Sequence, residues 1–382
     1  MVALWLIGAS GSVATTVAVG LAALRRRLSE PIGLVTELPV LAGAGLAALE
    51  DIQLGGCDLR PPDVVARARR MAEVDRVLPE RLIDAVTDDL EVYAAAIQPG
   101  AAAATCARDP AAALAAIQAE LRRFAARCGV DRAVAINLAS TEPPWDGEVP
   151  ADADGLLRHV AAGGALPASA LYALACLDLG WGYVNFTPSV GASLPALDQL
   201  AGRRGAVHAG RDGKTGQTLI KTALAPLFAS RNLRVLSWFG QNLLGNDDGR
   251  TLSDPDARRS KQRSKGETLP ALLGYRPAAP VEIEYLPPLG DWKVAWDHIL
   301  FEGFLGTRMT MMTTWQGADS ALAAPLVIDL ARLCDRALRR GERGLLSYLA
   351  MFFKEPMGAT EQAHERQVAL LLRHLAAAEE TP

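Results

Sequence analysis

The sequence is poor in the residues that mark most specialised protein classes. Only five of its 382 residues are cysteine (Cys57, Cys106, Cys128, Cys176, Cys334), scattered and never in a CxxC pair. That excludes a disulfide framework and a thiolate zinc site, and it fits a reducing cytoplasm in which most are small buried hydrophobes. Five histidines (His159, His208, His298, His364, His374) form no ligand cluster, so no metal is expected. Charge is sparse too. Only 21% of residues are charged and the net charge is -4, which removes any electrostatic reason to expect nucleic acid. One dense basic run, Arg258 to Lys265, is local and laced with serines.

Long uninterrupted apolar runs are also missing. Met1 to Leu24 is apolar and is followed by Arg25, Arg26 and Arg27, but no positive charge precedes it, as a signal peptide requires. Gly8, Ser10, Gly11, Ser12, Thr15 and Thr16 interrupt it, so neither a spanning helix nor a membrane partner is expected. There is no HExxH, no Ser-His-Asp arrangement and no P-loop, which leaves hydrolase readings without support. Internal repeats are absent, and low complexity is limited to alanine richness.

What is present is core-forming material. Half the residues are apolar, which argues against disorder, and the length suits two lobes or one lobe with a large insertion. Val2 to Ile7 reads as a buried strand, Gly8 to Ala14 as a glycine turn, and Thr15 to Arg27 as a helix. Strand, glycine turn and helix point backbone N–H groups at a pyrophosphate. Gly8 and Gly11 stand in the expected places, with Ser10 where the usual fingerprint has its second glycine and Ala14 in the last position. Asp58, after the strand-like Asp51 to Leu54, is the candidate acid for a cofactor ribose, delayed by an insertion between the first two strands; a plain turn aspartate is the alternative.

Further along, Pro61 to Gly129 shows helical spacing, broken near Pro99-Gly100 and Pro110. Ala133 to Leu138 is a strand that ends in Ser140 and Thr141, a usual place for a cofactor to touch a doubly wound sheet. Leu156 to Leu179 reads as helix and Gly182 to Phe186 as strand. This alternation predicts an α/β fold with a parallel sheet covered on both faces. The later strands (Ala206 to Ala209, Val235 to Phe239, Val281 to Leu286, Met309 to Thr314) are separated by polar segments, and Ala321 to Arg340 reads as a long helix.

Four polar blocks lie within about eighty residues: Asp212-Gly-Lys-Thr-Gly-Gln-Thr218, Gly245-Asn-Asp-Asp-Gly249, Arg259-Ser-Lys-Gln-Arg-Ser-Lys265 and Gly290-Asp-Trp-Lys293. Each mixes lysine or aspartate with glycine or small hydroxyls, as loops converging on an anionic, polyhydroxylated ligand do. Thr215, Gly216, Gln217 and Thr218 would open a helix and offer free N–H groups to a phosphate. Lys261 and Lys265, four apart, share a face if helical. Lys293 leaves a strand edge toward a cleft. Asp247 and Asp248 are placed to hold sugar hydroxyls, a cation or a lysine. Taken singly, each block also fits an ordinary N-cap, turn or solvated charge run.

Taken in order, the blocks resemble the myo-inositol-1-phosphate synthase family. Gly8 to Ala14 stands at its glycine loop, and Gly55-Gly-Cys-Asp58 at its Gly-Gly/Gly-Trp-Asp segment. Lys214-Thr-Gly-Gln-Thr218 is similar to its Lys-Ser-Gly-Gln-Thr, and Leu244-Gly-Asn-Asp-Asp-Gly249 to its Leu-Gly-Asn-Asn-Asp-Gly. Arg259-Ser-Lys261 with Ser264-Lys265, Gly290-Asp-Trp-Lys293, Asp319-Ser320 with Ala323-Ala-Pro325, and Phe353-Lys354-Glu-Pro356 follow in the family's order.

The resemblance implies a Rossmann-type NAD-binding domain formed by both chain ends (1–205 plus 320–382), with an inserted α+β catalytic and oligomerisation domain (206–319) and a homotetrameric assembly. It implies NAD as cofactor, held by Gly8, Ser10, Gly11, Ser12, Val13, Asp58, Ser140, Thr141, Asp212, Asp319 and Ser320. It implies conversion of glucose 6-phosphate to 1D-myo-inositol 3-phosphate by oxidation at C5, aldol closure between C6 and C1, and re-reduction. Lys261 and Lys354 would carry the charge and proton transfers. Lys265 and Lys293, with Thr215, Gly216, Gln217 and Thr218, would hold the phosphate, Asn246 and Asp247 would lie against the sugar, and Asp212, Asp248 and Asp319 would orient lysines and the nicotinamide end.

Asp247 stands where the family has asparagine, Trp292 where it has serine, and Gln262-Arg263 where it has an acidic–apolar pair. An added carboxylate and a large aromatic ring near the substrate point to an alternative: closure of another sugar phosphate, such as fructose 6-phosphate, to a five-membered ring. A simple dehydrogenase and a non-catalytic binding protein are the other readings, disfavoured by the full set of four lysines.

Overall fold

The computed structural model describes residues 1–245 and 268–377. Its first strand, β1 (Val2–Ile7), is buried along its whole length. Val2, Leu4 and Leu6 enter one hydrophobic core while Ala3, Trp5 and Ile7 enter another. A strand at the centre of a sheet covered on both faces has no polar side to show, hence the unbroken apolar run.

Around it assemble β2 (Ile52–Asp58), β3 (Ile97–Pro99), β4 (Val134–Asn137), β5 (Gly182–Asn185), β6 (Val207–Gly210) and β11 (Gly344–Leu345), in the order β11-β6-β5-β4-β1-β2-β3. Every pairing is parallel. The central order 3-2-1-4-5-6 is the doubly wound arrangement with a crevice where β1 separates β2 from β4. This large sheet takes in β6, on the far side of residue 205, and β11 from late in the chain.

One face is covered by α1 (Ser12–Arg25), α2 (Val64–Glu73), α3 (Glu80–Ala96), α10 (Asp319–Arg339) and α11 (His364–Ala377). The other carries α4 (Ala103–Arg108), α5 (Pro110–Cys128), α6 (Ala153–Ala161), α7 (Ala168–Asp178) and α8 (Pro195–Arg204). No helix among the described residues is long and apolar enough to cross a membrane. The helix expected from Leu156 to Leu179 is two, α6 and α7, parted at Gly163 (φ +86), Gly164 and Pro167.

One local boundary moves: the strand expected over Asp51 to Leu54 runs on through Gly55 and Gly56 to Asp58 as β2. A Cβ on Gly56 would lie 2.3 Å from the Leu6 carbonyl oxygen, and one on Gly55 2.5 Å from the Phe124 ring, so glycine there lets the sheet and α5 close up. Asp58 thus stands at a strand end. The insertion before β2, residues 27–51, is held by the long helix α10. Asp329 accepts from Val35 N (2.8 Å), Thr36 N (2.9 Å) and Thr36 Oγ1 (2.6 Å), while Arg332 and Arg336 donate to the Ala47 and Ala44 carbonyls.

The second sheet has four strands in the order β10-β9-β7-β8: β7 (Arg234–Leu244), β8 (Val281–Tyr285), β9 (Trp292–Glu302) and β10 (Arg308–Ala318). Helix α9 (Gln217–Ser230) covers one face through Ala225 and Phe228 against Val235, Trp238, Ile299 and Phe301. Sequence reading missed β9. Its buried face carries Asp297 among Ala295, Ile299 and Phe301, and its other face carries Val294, Trp296 and Leu300, so no clean apolar–polar alternation is visible.

Candidate active site

The site lies at the carboxyl ends of β1, β4, β5 and β6, where a doubly wound sheet presents ligands. After β1, Gly8 adopts φ +87, and a Cβ on it would meet the Ala139 backbone at 2.9 Å. The chain leaving β4 therefore passes against the glycine loop at Leu138 and Ala139, immediately before Ser140 and Thr141. Helix α1 then begins at Ser12 and Val13 behind Gly11, with no side-chain cap and no acid in its first turn. Its leading N–H groups are left for an anion.

Asp58 stands across the loop. Its carboxylate accepts from Ser10 N at 2.8 Å and from Arg60 N at 2.9 Å. Ser10 Oγ and Thr15 Oγ1 are buried with no hydrogen-bond partner among the described residues. A glycine at positive φ, uncapped helix N–H groups, orphaned hydroxyls and a strand-end carboxylate together fit a dinucleotide.

The second part is built on residues 210–218. Backbone bonds lace this segment to 352–357: Lys214 N to Phe352 O (2.8 Å), Lys354 N to Asp212 O (2.6 Å), Arg211 N to Glu355 O (3.0 Å) and Met357 N to Gly210 O (2.8 Å). That ladder sets Lys354 against Asp212, with Nζ donating to Oδ1 at 2.8 Å. Three residues on, Thr215 Oγ1 accepts from Lys293 Nζ at 2.6 Å, and Lys293 also pairs with Asp319 in the first turn of α10. A Cβ on Gly216 would approach Lys293 Cε to 3.1 Å, so glycine leaves room for the ammonium. Helix α9 opens here with no side-chain cap, so its N–H groups face the same space.

Beneath this seat the helix is pinned to the sheet by polar groups. Gln217 donates to Asp297 (2.8 Å) and accepts from Asn242 (2.9 Å), and Trp238 Nε1 also donates to Asp297 (2.8 Å). Gln217, expected on the substrate, therefore turns its side chain inward. Lys221, one turn further along α9, is 2% exposed, and its Nζ has no hydrogen-bond partner among the described residues. Burial holds its ammonium below the ordinary range, opposed by Asp297. Lys214 points the other way, to Gln367 of α11 (2.6 Å), and burial lowers it to about 8.

The turn before β9 supplies Asp291, to which the sequence reading assigned no role. Its carboxylate accepts from Ser320 N (3.0 Å) and Ser320 Oγ (2.6 Å), capping α10. Burial pushes this carboxyl up to about 6 against those bonds, with Asp319 and Asp75 adding to the rise. Ser320, expected to touch the cofactor, is fully buried in that cap. Trp292, expected near the substrate, donates its indole N–H to the Asp75 carbonyl oxygen at 2.7 Å.

Gly8, Ser10, Gly11, Ser12, Val13 and Asp58 thus meet at one crevice, with Ser140 and Thr141 next in sequence to the Ala139 that packs on Gly8, and Asp212, Thr215, Gly216, Lys293, Asp319 and Lys354 meet beside α9. Asn246, Asp247, Asp248, Lys261 and Lys265 lie outside the described residues. Asp291, Asp297 and Lys221 were missed. Asp291 had a local signal in the Gly290-Asp-Trp-Lys293 block, and Lys221 had one in its position four residues after Gln217 on the same helix face. The described residues hold no group of three or more metal-ligating side chains.

A doubly wound dinucleotide fold joined to an uncapped helix start beside Lys293 and Lys354 defines a class of dinucleotide-binding proteins with a second, cationic site. Comparison with known proteins narrows it. A family model described as myo-inositol-1-phosphate synthase, an NAD-binding family, matches residues 2–376. Inositol-3-phosphate synthase 1 of Bacteroides thetaiotaomicron is 33% identical over 400 residues, covering 95% of this chain and 91% of that protein. The Bos taurus protein of the same name is 29% identical, and the match covers 82% of this chain and 61% of its length. The crystal structure of inositol-3-phosphate synthase from Caenorhabditis elegans matches with TM-score 0.86 at 22% identity, over 98% of this chain and 85% of that one. The chain belongs to the myo-inositol-1-phosphate synthase family, whose members are NAD-dependent isomerases.

Proposed function

We propose that this protein converts glucose 6-phosphate to 1D-myo-inositol 3-phosphate with no net change in NAD. The observation that carries this reading is the convergence of Lys293 and Lys354 on one loop, through Thr215 and Asp212, at the uncapped start of α9. Hydride transfer alone does not call for two ammonium groups at a phosphate seat. Ring closure, which develops negative charge on sugar oxygens and moves protons between carbon and oxygen, does.

The Gly8 to Val13 loop and Asp58 would hold NAD, which when bound would supply reversible hydride transfer at C5. The α9 N–H groups and Lys293 hold the phosphate, which fixes the open chain with C1 within reach of C6. Lys354, positioned by Asp212, places a cation at the oxygen where charge develops and carries the proton between that oxygen and the solvent side. C6 loses a proton, the C6–C1 bond forms, and the C1 oxygen gains a proton. Lys261 and Lys265 complete the set in this reading. The fructose 6-phosphate alternative rested partly on Trp292 reshaping the pocket, and the indole N–H is instead tied to Asp75.

The test is to incubate the pure protein with NAD and either glucose 6-phosphate or fructose 6-phosphate, following product by phosphorus and carbon NMR and NADH by absorbance. Inositol phosphate from glucose 6-phosphate without net NADH is expected. A carbocycle formed only from fructose 6-phosphate would redirect the reading, and stoichiometric NADH with no ring would overturn it.

A further inference from the structure

We propose that Asp75 and Trp292 form a positioning clamp that sets Lys293 for the substrate phosphate. The inference rests on the reading of Lys293 given above, and it assigns a role to a loop with no chemistry of its own.

Residues 74–79 join α2 to α3, one helix after β2 and Asp58. Gly290, Asp291 and Trp292 form the turn into β9. These two segments grip each other in three places. The Trp292 indole N–H donates to the Asp75 carbonyl oxygen at 2.7 Å. The Asp75 carboxylate takes the backbone N–H of Asp291, and burial nevertheless pushes that carboxyl above its ordinary range. Gly290, at φ +58, presses so closely that a Cβ on it would lie 2.1 Å from Asp75 Oδ1. A residue with a side chain at 290 could not dock there.

The gripped turn leads straight to the anion seat. Successive residues of a strand point to opposite faces, so a Trp292 ring held toward the loop directs Lys293 toward α9. Asp291 extends the hold: its carbonyl accepts from Asp319 N at 2.9 Å and its carboxylate caps Ser320. Asp319 is the carboxylate that pairs with Lys293. The clamp therefore orients both members of that ion pair, one through the strand and one through the start of α10. A serine at 292 would lack the reach for this bond, so the clamp is a property of the tryptophan.

The experiment uses Trp292→Phe, which keeps a ring but removes the donor, and Asp75→Ala beside Asp75→Asn, which retains an acceptor. Binding of glucitol 6-phosphate, which carries the phosphate but no aldehyde to close on, is measured by calorimetry with NAD present, alongside KM and kcat for glucose 6-phosphate. Trp292→Phe and Asp75→Ala are expected to weaken both phosphate-ligand affinity and KM by about 10-fold, as loss of one well-placed charged contact does. NAD affinity should stay within about 2-fold and kcat should fall less than KM rises, and Asp75→Asn should recover most of the loss. In a Lys293→Ala background the Trp292→Phe effect should vanish, because a positioning residue acts only through the group it positions. Equal loss with and without Lys293, or unchanged affinity in both Trp292→Phe and Asp75→Ala, would overturn the clamp. If the wild type binds glucitol 6-phosphate but does not cyclise glucose 6-phosphate, the functional reading fails, and the binding cycle still decides the clamp.

Discussion

The Lys354 ammonium donates to the Asp212 carboxylate at 2.8 Å, joining residues 142 positions apart. Both groups are mostly buried, with side chains 22% and 11% exposed. A cation held against a carboxylate beside an anion seat is placed to meet developing negative charge without being free to drift.

Replacing Lys354 by alanine is therefore expected to lower kcat by about 100-fold or more while changing KM little, since the charge is needed in the transition state. Asp212→Asn should lower kcat less, about 10-fold, because the ammonium remains but loses its orienting partner. Single-turnover NMR of ring formation checks both. Equal kcat in wild type and Lys354→Ala would remove Lys354 from the chemistry.

Gly8→Ala tests the cofactor loop. The residue is at φ +87, and an added Cβ would meet the Ala139 backbone at 2.9 Å, so neither the conformation nor the space tolerates it. Strain of about 1–3 kcal/mol should shift the loop and cut NAD affinity by about 10-fold or more. Titration of intrinsic tryptophan fluorescence with NAD reads this directly, and undiminished affinity would place the dinucleotide elsewhere.

Asp329 tests the device that holds the insertion before β2. Burial pushes its carboxyl up to about 6, against bonds from Thr36 and Val35 and the nearby Arg332 that pull it down. The folded state therefore keeps a proton on this group that the unfolded chain, with an ordinary carboxyl near about 3.9, has lost. Stability from Asp329 is full below about pH 4 and declines as pH rises through about 6. Urea unfolding of wild type and Asp329→Asn should show the wild type losing ground across that window. Asp329→Ala, which strands the N–H groups of Val35 and Thr36, should cost about 2–4 kcal/mol below about pH 4, and that cost should shrink as pH rises through about 6. A wild-type advantage that grows with pH would reverse the sign and refute the buried-carboxyl account.

Much of the architecture was legible in the chain. The uninterrupted apolar stretch Val2–Ile7 could only be a strand buried on both faces, and glycines at 8 and 11 before a helix marked the turn at its end. The ordered polar blocks identified the family before any contact was known. Local pattern was less informative where two faces were mixed, as in β9, and where a glycine pair served close packing within β2, beyond the expected strand end at Leu54.

The amino-acid sequence by itself determined the strand–turn–helix opening, the lysine and aspartate inventory and the family, because these depend on residue types at short spacing. Only the tertiary structure decided that Lys354 meets Asp212, that Lys293 meets Thr215 and Asp319, that Gln217 turns inward to Asp297, and that the Trp292 indole N–H meets the Asp75 carbonyl. Those pairings follow from strand register and from which segments pack side by side. Burial, which raises Asp291 and Asp329 and lowers Lys214, likewise exists only once the chain has excluded water around them.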